Sequence, residues 1–161
     1  MIRSSLLKPF VLATLVCGTL DILLAVFLTL QRGKDPANML RFVASGPFPP
    51  ATEWGASGAV LGLATHFTLM AIMVGSFLVL VSQRPAVLDR PLLAGLAFGL
   101  ITYVIMNLIV VPLRWPSAFP PKPLGIATQL FAHLVLVALP AVLIARAMLA
   151  KAAPGVATAT V

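Results

Sequence analysis

The sequence predicts an all-α integral membrane protein: a four-transmembrane-helix bundle with a short amphipathic surface helix in its first outer loop. Three observations carry this. Sixty per cent of the 161 residues are apolar and only 9% are charged, whereas soluble domains carry about a quarter charged residues. Mean hydropathy is +1.07. Four runs also reach the ~20 apolar residues that a helix needs to cross a hydrocarbon core of ~30 Å. Together these exclude an ordinary soluble domain, a disordered chain and a coiled coil. The whole chain, 1–161, reads as a single membrane domain.

The first span is expected at about 9–30 and holds one acid, Asp21. Met1 to Lys8 has the look of a secretory basic flank. The apolar stretch is too long for a signal peptide and no small-residue cleavage site follows, so it reads as a retained signal anchor. In the loop after it, Asp35-Pro36 has the form of a helix N-cap with proline at the first helical position. Met39, Leu40, Phe42 and Val43 follow, and Gly46 is expected to close the helix. Residues 36–45 are therefore expected to lie on the membrane surface.

The second span is expected at about 57–82 with His66, and the third at about 91–113 with Asn107. Only 83–90 separates them, so they form an antiparallel hairpin. The fourth span, about 125–145, carries Gln129 and His133, and Arg146 can snorkel at its end. The tail, 152–161, is composed for fraying. Both long connections fall on one face, each with a tryptophan (Trp54, Trp115) suited to an interfacial belt. Each also contains Phe-Pro-Pro, at Phe48 and at Phe119. An acid or amide in each odd span and a histidine in each even span add to this faint internal repeat.

Eleven Lys and Arg against four Asp and Glu give a net charge of +7. The basic residues fall mostly between the apolar runs, where they meet lipid headgroups rather than nucleic acid. With the N-terminus inside, six lie on the inner segments and five on the outer ones. The basic N-terminal flank tips the orientation to both termini cytoplasmic, with dual topology left open. Cys17 is the only cysteine, so there is no internal disulfide and no multi-cysteine metal site.

Each span has one face of small or polar residues at helical spacing. Gly58, Gly62 and His66 share one, Gly95, Gly99, Tyr103 and Asn107 another, and Gly125, Gln129 and His133 a third. Gly58, Gly62, Gly95 and Gly99 are expected to pack helices closely. At 1.5 Å rise per residue, Asp21, His66, Asn107 and His133 each lie roughly 9–14 Å below the outer boundary. Such groups facing lipid are costly. They are expected to turn inward as a polar layer with Tyr103 and Gln129.

Three readings of that layer stand side by side. In the leading one it fixes the packing of a non-catalytic accessory or assembly subunit, with other membrane proteins or further copies of the chain as partners. In the second, His66 and His133 hold a haem, or His66, His133 and Asp21 a divalent metal. In the third, Asp21 is the proton carrier of a small transporter; an acid within the first of four spans resembles the small multidrug resistance transporters. No HExxH or GxSxG motif occurs, and the chain leans away from an enzyme.

The motifs Asp21-Ile22, Val43-Ala44-Ser45-Gly46 and His66-Phe67 carry a wider likeness. So do Tyr103-x-x-Met106-Asn107-x-x-Val110-Val111-Pro112-Leu113 and His133. Together they resemble a widespread group of small four-span bacterial inner-membrane proteins with no settled activity. Arg114-Trp115 departs from that pattern. The resemblance implies a bacterial inner-membrane location and singles out Asp21, His66, Asn107 and His133.

Overall fold

A computed structural model describes residues 2–149, and these form helices and short connections with no strand among them. The tail expected to fray, 152–161, lies outside the described residues. We label the helices α1 (Ile2–Gln31), α2 (Pro36–Ala44), α3 (Gly55–Gln83), α4 (Pro91–Arg114) and α5 (Pro123–Leu149). All but α2 are long and apolar enough to cross a membrane, so the chain is a multi-pass membrane protein of four spans. Each span runs a little beyond the expected bounds. The largest difference is at α1, which starts before Pro9 and carries that proline within it.

α2 begins as expected: the Asp35 carboxylate accepts from the Ala37 N–H, and Pro36 follows. Its end differs. The C-cap is Ser45, in ordinary right-handed geometry, and Gly46 does not adopt a positive φ. The end of α4 closes this helix instead, through Arg114. Positive φ occurs at Gly33 and Gly55, where the chain leaves α1 and enters α3.

The spans pack in the order α3–α1–α5–α4. Small residues permit this, since helices in lipid gain from close backbone approach. Ala13 and Cys17 of α1 meet Ala141 and Ala145 of α5, all fully buried. The Cys17 thiol donates to the Val137 carbonyl at 3.2 Å. The fully buried small residues of α5 are thus alanines, a stripe that glycine spacing does not point to. Among the glycines, Gly99 lies against the α5 backbone at His133 and Leu134. Gly58 and Gly62 instead receive the connection between α1 and α3: a Cβ on Gly62 would overlap the Leu40 carbonyl of α2.

The buried core sits in the half of the bundle near the short 84–90 connection, around Met70, Val74, Phe77, Leu78 and Val142. α3 and α4 are successive in sequence, yet their backbones do not pack. They meet through the stacked rings of Phe77 and Phe98, 4.7 Å apart. Beside that stack an apolar groove of about 660 Å³ separates them. The other half of the bundle, beneath α2, is hollow.

Candidate functional site

The hollow is a cavity of about 1010 Å³. Asp21 of α1, His66 of α3, Asn107 of α4, and Gln129 and His133 of α5 all line it, with α2 across it through Met39, Phe42 and Val43. The groups expected at one depth thus line one recess. Tyr103 stands behind it, buried, edge-on to the His133 ring at 6.0 Å.

The polar groups form two separate sets. In the first, His66 Nε2 lies 2.9 Å from the Gly18 carbonyl. A carbonyl oxygen only accepts, so Nε2 carries a proton and donates. Nδ1 is then left facing Asp21 Oδ2 at 3.8 Å, ion-pair range but too long for a direct hydrogen bond. In the second set, the Thr102 hydroxyl lies 3.0 Å from the Phe98 carbonyl and 3.1 Å from that of Gly99. Its proton goes there, so it accepts from His133 Nδ1 at 3.0 Å. The lone pair on His133 Nε2 then accepts from the Asn107 amide at 3.2 Å. In their neutral forms the two histidines are opposite tautomers.

Local backbone form explains how Asn107 and His133 meet. Val104–Val110 of α4 and Ala132–Ala138 of α5 are π-helical. Val111 N–H reaches back to Met106 and Leu139 N–H to Leu134. A proline follows two residues past each segment, Pro112 and Pro140. A proline ring clashes with the carbonyl four residues back, and the wider turn relieves that clash. Asn107 and His133 are each carried by one of these widened segments. The signal was in the sequence as two prolines within apolar spans, Pro112 near the end of one and Pro140 inside the other.

Arg114 is the other residue that spacing alone did not single out. Its Nε donates to the Gly46 carbonyl at 2.8 Å and its Nη2 to the Ser45 carbonyl at 2.6 Å. The guanidinium therefore caps α2, where a cation also complements the helix dipole. Trp115 stacks on Phe42 of α2 at 4.5 Å and lines the cavity. Trp54 is exposed, near Phe48.

Among the described residues, no three His, Cys, Asp or Glu side chains are gathered to hold a metal ion. Asp21 and His66 belong to one set and His133 to the other. A haem bridging the histidines would need His133 Nε2, displacing Asn107, and His66 Nδ1, beside Asp21. No protein-family model matches the chain, and neither does any curated protein or solved structure.

Proposed function

We propose that the protein is a small, non-catalytic membrane module that binds an amphipathic ligand taken sideways from the bilayer. One observation carries this reading. The polar cavity and the apolar groove adjoin, with Leu69, Met73, Met106 and Val110 lining both. A polar head has hydrogen-bonding groups to meet in the cavity, and an apolar tail has the groove. Solvent extraction and mass spectrometry of the protein purified in polymer nanodiscs tests it. The expected result is one amphiphile enriched to near-stoichiometric level and lost in Ala97→Phe, which narrows the groove. Lipids in the same proportions as the surrounding membrane would overturn it.

A second reading rests on the same open edge. The unpacked α3–α4 side supports an accessory or assembly subunit, completed there by a partner's span or by a second copy of the chain. Extraction in mild detergent would then recover a larger assembly; a monodisperse single chain counts against it. On either reading we place the protein in a bacterial inner membrane with both termini cytoplasmic. The basic N-terminal flank and the likeness to small four-span bacterial proteins support that placement.

A further inference from the structure

We infer that the ligand is an isoprenoid quinone, an uncharged ring bearing carbonyl or hydroxyl oxygens on a long apolar tail; this rests on the ligand-binding reading above. Three features separate it from a phospholipid or a fatty acid.

The first is depth. Asp21, His66, Asn107 and His133 stand roughly 9–14 Å along their helices from the ends of the apolar runs, with Gln129 nearer its own end, and a phosphate or carboxylate head reaching them would have to shed its water at high cost. The cavity's cation, Arg114, sits at the end of α4 and is engaged by the Ser45 and Gly46 carbonyls. The second is donor chemistry. Gln129, an exposed residue, lines the cavity, and Asn107 uses one amide N–H on His133 and keeps the other. These amides suit ring oxygens, and the Asp21–His66 pair can accept from a hydroxyl. Phe42, Trp115, Met70 and Met106 add flat and polarizable surface for a ring.

The third is tail length. Along α4 the groove runs from Val110, beside the cavity, to Leu93 near the opposite face. That is about 25 Å at helical rise, whereas one leaflet is about 15 Å, half the core. A bilayer acyl chain stops near the midplane. A polyisoprenoid tail continues.

Trp54 and Trp115 are the two tryptophans, so Trp54→Phe leaves a single reporter on the cavity wall. The full chain carrying this change, in phosphatidylcholine nanodiscs, is titrated with a long-tailed isoprenoid quinone, a tail-less benzoquinone and a bromine-labelled fatty acid. We expect saturable quenching of Trp115 by the long-tailed quinone. Ala97→Phe should weaken it about tenfold, as lost tail burial dictates, and spare the tail-less ring. Gln129→Leu should weaken both. Saturable quenching by the fatty acid and not by quinones overturns the quinone assignment and leaves the ligand-binding reading standing. Quenching that rises without saturation for all three overturns both.

Discussion

Asn107 and His133 face each other from two π-helical segments, amide nitrogen to ring nitrogen at 3.2 Å. A straight α-helix containing Pro112 or Pro140 would place a carbonyl against the proline ring. The widened turns avoid this and bring one polar group from each span to the cavity. π segments recur at functional sites, and this pair stands on a cavity wall rather than in the packed core. The pairing also fixes protons. With Thr102 accepting at Nδ1 and Asn107 donating at Nε2, neutral His133 is the Nδ1–H tautomer. Neutral His66, tied to the Gly18 carbonyl, is the Nε2–H tautomer.

Nitrogen NMR of ring-labelled protein, at a pH where both rings are neutral, should therefore show opposite tautomers. In Asn107→Leu, His133 loses its donor. A double-mutant cycle on Asn107 and His133 should give a coupling of about 0.6–1.7 kcal/mol, the range found for polar pairs between membrane helices. Matching tautomers, or additive variants, would refute the arrangement.

Arg114 ties the end of α4 to the end of α2 by two charge-assisted hydrogen bonds. Arg114→Ala should lower stability by about 2 kcal/mol and free α2, since each such bond is worth about 1.5–3 kcal/mol before screening. Arg114→Lys should recover only part, because an ammonium cannot reproduce the guanidinium fork. Thermal unfolding in detergent, with thiol labelling of Val43→Cys to follow α2, measures both. Equal behaviour of the two variants would show that the charge alone matters.

Gly62 lies where a Cβ would overlap the backbone of Leu40. Backbone cannot swing aside as a side-chain tip can. Gly62→Ala should cost about 1–3 kcal/mol by overpacking and raise labelling of Val43→Cys. Gly95→Ala, with its nearest neighbour a Val142 methyl at 3.9 Å, should be close to neutral. A reversed order would mean that α2 does not rest on α3.

These glycines mark where the sequence was legible and where it was not. Apolar run length settles the four spans, because lipid leaves few alternatives to a helix. The cap at Asp35-Pro36 sets the start of α2 through local geometry. A helical stripe, however, names a face without naming what it meets, so Gly58 and Gly62 read as span contacts and turn out to hold the loop. Equal depth brings Asp21, His66, Asn107 and His133 to one cavity, yet depth says nothing of pairing within it. The π segments require a carbonyl and a proline to be considered together. Arg114 stood out in the sequence only as a departure from the resembled pattern; its role was hidden because its partners, Ser45 and Gly46, are backbone groups almost 70 positions away.

The Asp21–His66 pair gives the last test. His66 is almost enclosed and Asp21 is partly open to the cavity. Removing one partner should leave the other unmatched in a low-dielectric wall, whereas removing both should not. His66→Leu alone is expected to destabilise the bundle by about 1–3 kcal/mol. Adding Asp21→Leu should restore most of that loss, since two apolar side chains face each other at no desolvation cost. Asp21→Asn, which keeps a polar group opposite Nδ1, should cost less than His66→Leu. The same double variant should no longer retain the amphiphile in nanodiscs, although it is folded. Stability and binding then part company. A polar pair kept only to fix the packing would be dispensable once replaced by leucines; a pair that receives a ligand would not. Retention of the amphiphile by the folded double variant would assign Asp21 and His66 to packing alone.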